Sequence, residues 1–197
     1  MDPATHTTRV LSERAKRGER EAYEALFAQA VDRLRLFVRL RLGPKLRERL
    51  DSEDVVQETY LEAHRDFARF ECRDRDAFAR WLCCLAEHRI RGLADHHGAA
   101  KRTPPGGEAS PSAAAEHPGE QTGPVTAAVR QEARERLAIA IAELPDEARE
   151  VLLLRHFQGR TLDEIARLTG LSATSVRRRI GEGQRALGRA LRAGGDA

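Results

Sequence analysis

The 197-residue chain is poor in aromatic residues and in cysteine. Phe, Trp and Tyr make up 5% of it, and only three cysteines are present. Two of these, Cys83 and Cys84, are adjacent, a pattern that suits a reducing compartment better than a disulfide scaffold. No apolar run approaches the length of a membrane span, and the N-terminus has no signal-peptide core. We therefore expect a cytoplasmic protein that does not contact a membrane.

What the chain does contain is charge and helix-forming residues. Charged side chains make up 33% of it, with 34 Lys and Arg against 31 Asp and Glu, and the isoelectric point is about 9.0. Alanine, leucine, arginine and glutamate are abundant, while β-branched residues are scarce. This composition predicts an all-α protein, and the basic balance is compatible with a nucleic-acid partner.

A stretch rich in proline and glycine divides the chain. Residues 103–124 contain nine Pro or Gly among 22 residues and no large apolar side chain. They cannot bury a core, so they are predicted to form a flexible linker. Two small helical domains are expected on either side, over residues 9–102 and 125–193. Residues 1–8 have no periodicity and are expected to be a loose tail.

The strongest motif lies within residues 144–187. Thr161 followed by Glu164 makes the capping box that opens a helix, and Gly170 can end that helix in a left-handed turn. Ser172 then caps a second helix at once. Two helices joined by so short a turn predict a helix-turn-helix, the module that lays one helix in the major groove of DNA.

The second helix of this motif carries most of its charge. Val176, Ile180 and Leu187 form an inward-facing stripe, and arginines occupy the remaining faces. Small hydroxyls stand at the N-terminal end, which in this motif points at base edges, and arginines that can reach guanine edges or phosphates follow. A solvated basic helix packed on its neighbour is the plainer alternative. The candidate DNA contacts are Ser172, Thr174, Ser175, Arg177 and Arg178.

A further helix is predicted over residues 52–67, with Asp51 as its N-cap. One side is apolar at every fourth position, beginning with Val55. Another face is acidic and amide-bearing around a single apolar residue. Acidic residues near a helix start also suit the helix dipole, which is the plainer explanation of Asp54. The residues of this face are Asp54, Gln57, Glu58 and Leu61.

In this order, the motifs resemble those of bacterial sigma-70-family factors. The segment DSEDVVQETYLEAHRDFARF resembles the helix that binds core RNA polymerase, and AFARWLCCLAEHRI, with its Trp-Leu pair, is similar to the promoter-opening segment that follows. LPDEAREVLLLRHFQGRTLDEIARLTGLSATSVRRRI resembles the C-terminal domain that reads the upstream promoter element. The small size, with only these two domains, resembles the extracytoplasmic-function (ECF) subgroup. A sigma factor that reads -10 and -35 elements is implied.

The resemblance also implies a role for individual residues. Asp54, Gln57, Glu58 and Leu61 would face the clamp helices of the largest polymerase subunit, and the second-largest subunit is a further implied partner. The loop from Phe70 to Asp74 would hold a flipped base of the -10 element. Arg160 and Arg179 would be phosphate contacts beside the -35 residues Ser172, Thr174, Ser175, Arg177 and Arg178. The implied -10 residues are Phe70, Arg73, Asp74, Trp81, His88 and Arg91.

One segment departs from the family pattern. Family members often carry Asn in the helix after the Trp-Leu pair, where this chain has Glu87-His88-Arg89. Trp81 itself has a second explanation, because a single large aromatic on an apolar helical face is often part of a core. The resemblance implies no catalytic residue, cofactor or metal, and it allows for a separate anti-sigma factor as a partner.

Two other functions can be weighed against a sigma factor. A stand-alone helix-turn-helix regulator would account for residues 161–187, although it gives no reason for the acidic face around Asp54. A metal-linked enzyme or redox sensor would need side chains that converge. Cys83 and Cys84 point about 100° apart on a helix, so buried structural thiols are the better explanation. The candidate ligands of such a metal or redox site would be Cys72, Cys83, Cys84, His88 and His96.

Overall fold

The fold is described by a computed structural model, which covers residues 3–47, 50–100 and 124–193. These residues form eight α-helices and no β-strand, which confirms the all-α prediction. The chain divides into two compact units, residues 1–120 and residues 121–197. The predicted linker lies outside the described residues except for Pro124. Within those residues, no helix is long and apolar enough to cross a membrane.

The N-terminal unit is built around one long helix, α2. Helices α1, α3 and α4 all pack against α2, and α3 also packs against α4. Large side chains such as Phe27, Phe37 and Phe78 are completely enclosed between them. The helices are α1 (Pro3–Lys16), α2 (Arg20–Arg47), α3 (Ser52–Arg65) and α4 (Ala77–Ala100), with a short 3₁₀ turn (Phe67–Arg69) after α3.

The first helix contradicts the expectation of a loose tail over residues 1–8. Helix α1 begins at Pro3, and its inward-facing side chains Thr8 and Ser12 are 4% and 3% exposed. The Thr8 hydroxyl donates to the Ala4 carbonyl at 3.0 Å, so this buried polar group is satisfied inside the helix. The prediction was wrong because the buried positions are polar, and an apolar periodicity therefore does not mark the helix.

The predicted helix boundaries around α3 are largely confirmed. Gly43 interrupts α2 with a φ of 60°, a left-handed conformation that glycine adopts without steric cost. Asp51 caps α3, because its carboxylate accepts the backbone N–H of Glu53 at 2.9 Å. Helix α3 ends at Arg65 rather than at Phe67, and α4 begins at Ala77.

The C-terminal unit is assembled around its last helix, α8, which contacts α5, α6 and α7. Its central cluster consists of Val151, Leu154, Ile165 and Val176, all nearly or completely buried. Leu168 of α7 is 52% exposed, and Leu171 in the turn after α7 packs against the cluster. The helices are α5 (Pro124–Ala142), α6 (Asp146–Leu152), α7 (Leu162–Thr169) and α8 (Ala173–Ala193), with a π-helical turn (Leu153–Phe157) after α6.

Two glycines of α8 provide a matched test of how closely α8 packs on α6. A Cβ atom at Gly183 would lie 2.7 Å from Leu152 Cδ1, whereas one at Gly188 would meet only the end of the Arg192 side chain, at 3.5 Å. Both Gly→Ala changes gain the same helix propensity, so their difference isolates packing. We expect Gly183→Ala to be less stable than Gly188→Ala by about 1–3 kcal/mol, measured by urea unfolding. Equal stabilities would contradict this close packing.

Candidate functional site

The helix-turn-helix forms through the local contacts that the sequence predicts. Thr161 Oγ1 accepts the Glu164 N–H at 3.3 Å, and Glu164 Oε2 accepts the Thr161 N–H at 2.7 Å, which completes the capping box. That backbone N–H lowers the pKa of the Glu164 carboxyl. Gly170 ends α7 with a φ of 71°, and Ser172 Oγ accepts the Ser175 N–H at 3.2 Å at the start of α8.

The N-terminal turns of α8 present the side chains that were predicted to contact bases. Ser172, Thr174, Arg177 and Arg178 are exposed, and Ser175 is half-buried. The Arg178 guanidinium donates to Glu182 at 3.0 Å. The Arg177 side chain makes no ion pair or hydrogen bond with the described part of the chain. This end of α8 therefore offers hydroxyls and guanidinium groups together, the donors and acceptors that read base edges in a major groove.

The two predicted phosphate contacts are held by neighbouring carboxylates. Arg179 pairs with Glu147 of α6, and its side chain is only 17% exposed. Arg160 lies 3.7 Å from Glu164, one turn further along. In this conformation Arg179 braces α8 against α6, so it would have to leave Glu147 to bind a phosphate.

The acidic face of α3 is open to solvent. Asp54, Glu58 and Leu61 are exposed, and Leu61 is 52% exposed, while Gln57 is half-buried. Residues at these spacings share one helix face. The opposite side is buried, where the Thr59 hydroxyl donates to the Val55 carbonyl at 2.7 Å. The structure therefore brings together the four residues that the sequence predicted as one surface.

An ion pair that was not predicted from the sequence connects this surface to α4. The Arg89 guanidinium pairs with the Glu58 carboxylate, and the Arg89 side chain is 29% exposed. No local spacing could have revealed the pair, because its members are on different helices. Asp54, in contrast, makes no ion pair with any described residue. It is the more available of the two carboxylates.

Phe70 is not placed where a DNA contact would need it. It is 3% exposed, and its ring packs 5.3 Å from the Phe78 ring and 5.3 Å from the Trp81 ring, measured between centroids. An enclosed ring cannot stack on a base, so the predicted contact by Phe70 has to be corrected. Phe70 anchors the base of the loop instead.

The other predicted -10 residues are distributed along the loop and α4. Arg73 is 80% exposed in its side chain. Asp74 accepts the Asp76 N–H at 2.9 Å and the Arg80 guanidinium at 2.7 Å, and the Arg80 hydrogen bond lowers the pKa of its carboxyl. These two contacts fix the turn before α4, so Asp74 already has a structural role.

Trp81, His88 and Arg91 lie along one edge of α4. Trp81 is half-buried on the aromatic cluster of Phe67, Phe70 and Phe78, so it is part of the core and also reaches the surface. His88 and Arg91 are exposed. The edge thus combines an aromatic surface with polar and cationic groups.

The segment that departs from the family pattern contains a buried charge network. The Glu87 side chain is 5% exposed, and its carboxylate accepts Arg41 Nε at 2.7 Å and Arg41 Nη2 at 2.8 Å. It also accepts Arg91 Nε at 2.6 Å. Glu87 therefore connects α2 to α4 and orients Arg91.

The cysteines have the character of structural thiols. Burial raises the pKa of the Cys83 thiol to about 12 and also raises that of Cys72, which disfavours the reactive thiolate. Among the described side chains, no group of three His, Cys, Asp or Glu is arranged to hold a metal ion. His96 lies outside the described side chains.

Comparison with known proteins assigns both units. The family model of Sigma-70 region 2 matches residues 26–97, and that of Sigma-70, region 4 matches residues 134–187. The RNA polymerase sigma-H factor of Pseudomonas aeruginosa is 29% identical over 187 residues, 92% of each chain. The ECF RNA polymerase sigma-E factor of Escherichia coli K12 is 27% identical over 179 residues, 88% of each chain.

The chain is also similar to a protein of solved structure along most of its length. CnrH, in complex with the cytosolic domain of CnrY, is 25% identical with a TM-score of 0.50, over 95% of this chain and 98% of that one. The chain therefore belongs to the sigma-70 family, whose members direct RNA polymerase to promoters. Within that family its relatives include ECF sigma factors, and the two regions of the family that it matches are regions 2 and 4.

Proposed function

We propose that this chain binds core RNA polymerase through the exposed face of α3 and directs it to promoters with a -10 and a -35 element. The observation that carries the proposal is the position of Asp54, Glu58 and Leu61. They form an outward-facing patch, with a 52% exposed leucine among carboxylates, in the unit that matches region 2. A single exposed leucine is ordinary on a protein surface. What supports an interface is its position beside two exposed carboxylates on one face of α3, in the unit that matches region 2.

Each unit would then read one promoter element. Residues 9–102, extended to Pro3 by helix α1, would bind core polymerase and contact the -10 element through Arg73, Trp81, His88 and Arg91. Residues 125–193 would contact the -35 element through the N-terminal turns of α8. Exposure of Arg177 and Arg178 supports the latter assignment. Residues 103–124 would connect the two units.

Other aspects of the proposal follow from the family. Nucleotide chemistry would belong to the polymerase, so this chain would have no catalytic residue and no cofactor, and it would act in the cytoplasm. The second-largest polymerase subunit is a further proposed partner. Because the similar protein CnrH is in complex with the cytosolic domain of CnrY, we also propose that a separate anti-sigma protein can bind this chain.

The test is capture of core RNA polymerase by the tagged full-length protein. We expect wild type to retain core and Asp54→Ala/Glu58→Ala to lose most of it. Asp54→Ala alone should weaken binding by about tenfold or more, because a charged interface contact is lost. Glu53→Ala is the matched control, since this exposed neighbour faces Arg35 of α2, at 3.1 Å, instead of the patch.

A second control tests whether core binding depends on the carboxylates themselves or on the Arg89–Glu58 ion pair. Arg89→Met removes the partner of Glu58 but leaves both carboxylates in place, so it should still retain core. If wild type fails to hold core under conditions in which a known sigma factor does, the proposal is wrong. Binding of promoter duplex without polymerase would then favour a stand-alone helix-turn-helix regulator.

A further inference from the structure

The outer face of α8 carries a row of arginines beyond the turns assigned to base reading. Arg185, Arg189 and Arg192 are exposed, and none of their side chains makes an ion pair or hydrogen bond with another described residue. Elsewhere in the unit, Arg149 pairs with Asp146 and Arg178 pairs with Glu182. The row, defined here as these three arginines, is therefore an uncompensated set of positive charges.

Helical geometry places the row on one face. Positions separated by three, four and seven residues lie one above another on a helix. Val176, completely buried, and Gly183, packed against Leu152, lie on the opposite side of α8. At about 1.5 Å per residue, the row begins about 10 Å beyond Arg178 and ends about 21 Å beyond it. It continues the Arg178 side of the helix toward the C-terminus.

Two glycines leave open space beside the row. Gly181 and Gly188 lie in a groove of about 550 Å³ that is also lined by Gln184 and the three arginines. A Cβ atom at Gly181 would be 3.4 Å from Arg185 Nη1, so this guanidinium lies back over the glycine along the helix. Because all three arginine side chains are exposed, an anion can approach their guanidinium groups from solvent.

The helix dipole does not explain the row. Cations are favoured within the last turn of a helix, and among these residues only Arg192 is there. Guanidinium groups suit phosphates, which they can bind with two hydrogen bonds. The row extends over about 10 Å, which is long enough for its guanidinium groups to contact neighbouring phosphates of one DNA strand.

We propose that Arg185, Arg189 and Arg192 form a second DNA contact, which binds the phosphodiester backbone flanking the -35 element. The major groove is about 12 Å wide, so residues this far from the N-terminal turns reach the adjoining backbone rather than bases. This placement rests on the proposed function, because it assumes that the start of α8 lies in the groove. The contact adds affinity that depends on salt and not on base sequence.

The test measures binding of the full-length protein to a fluorescent duplex of unrelated sequence, about 30 base pairs long or roughly three helical turns, across a salt series. Wild type is compared with Arg185→Gln/Arg189→Gln/Arg192→Gln. The matched control, Arg17→Gln/Arg20→Gln/Arg65→Gln, removes the same charge from exposed sites of the other unit. A third variant replaces each residue of the row by lysine.

We expect the glutamine triple to reduce the slope of log K against log salt by about 2 to 3, and to weaken binding about tenfold or more at about 50 mM salt. The control should change the slope by less than about 1, and the lysine triple should retain the wild-type slope because its charge is kept. An unchanged slope in the glutamine triple would overturn the proposal. So would a lysine triple that loses as much as the glutamine triple.

Core polymerase capture with the same proteins keeps the two proposals apart. The triple variant with glutamine at positions 185, 189 and 192 should bind core polymerase as wild type does. If wild type does not bind core while the slope difference persists, the backbone contact stands and the sigma-factor assignment fails. If the glutamine triple loses core with its DNA slope unchanged, the row binds protein and the present inference is wrong.

Discussion

Replacing Glu87 by alanine is expected to destabilise the N-terminal unit by about 3 kcal/mol. The Glu87 carboxylate is almost fully enclosed and is shared by Arg41 and Arg91. Its removal takes away the carboxylate that accepts two hydrogen bonds from the Arg41 guanidinium, whose side chain is 25% exposed. Breaking a buried ion pair from one side costs more than the pair itself contributes, because the remaining charge is poorly solvated.

The loss in free energy of unfolding is measured by urea unfolding, with Trp81 fluorescence as the signal. Trp81 is the only tryptophan of the chain and lies in the N-terminal unit, on the same helix as Glu87. Glu53→Ala is the matched control, because the Glu53–Arg35 pair is well exposed, at 60% and 45% of the side chains. Such a surface pair contributes about 0–1 kcal/mol. Equal effects of the two changes would mean that the Glu87 network is solvated.

A second readout tests the link from Glu87 to DNA. Arg91, a predicted -10 residue, donates a hydrogen bond from its Nε to Glu87 Oε1 at 2.6 Å. Glu87→Gln keeps the size of the side chain and should be less destabilising than Glu87→Ala. If Glu87 positions Arg91, promoter opening by the holoenzyme should fall in Glu87→Gln while core capture stays at the wild-type level.

The helix-turn-helix could be predicted from the sequence because its determinants are local. The capping box joins Thr161 to Glu164, and the left-handed turn needs only Gly170. The acidic face of α3 was predictable for the same reason, since helical periodicity alone places Asp54, Glu58 and Leu61 on one side.

Features that depend on contacts between distant residues were not predictable. Glu87 and Arg41 are 46 residues apart, and Glu87 looks like one more charge on an exposed helix until α2 is folded against α4. Phe70 was assigned to a DNA-binding loop because the family resemblance implied it, whereas here its ring completes the core. Helix α1 was missed because Thr8 and Ser12 occupy its buried side.

Ile165→Ala is expected to destabilise the C-terminal unit by about 2–5 kcal/mol. Ile165 is 0% exposed and lies in the small cluster with Val151, Leu154 and Val176. This cluster joins α6, α7 and α8, so a cavity there weakens the contacts that set the angle between the two helices of the motif. A unit with so small a core has few other contacts that can compensate.

Two optical signals can show which unit is affected. Trp81 and both tyrosines, Tyr23 and Tyr60, belong to the N-terminal unit, so tryptophan fluorescence reports on that unit alone. Far-ultraviolet circular dichroism reports on the helices of both units. We expect Ile165→Ala to lower the temperature at which part of the helical signal is lost, while the fluorescence transition stays in place. If both transitions move together, the two units unfold as one cooperative body.

Leu168→Ala is the matched control, because it lies on the same helix and is 52% exposed. It removes a side chain of the same size without creating a cavity, so its effect should be within about 0.5 kcal/mol. A large loss from Leu168→Ala would show that this side chain is covered in solution. The duplex-binding assay measures the consequence of these changes for DNA affinity. Ile165→Ala should lose DNA affinity in parallel with the helical signal, because α8 can present its arginines only while α6 and α7 hold it.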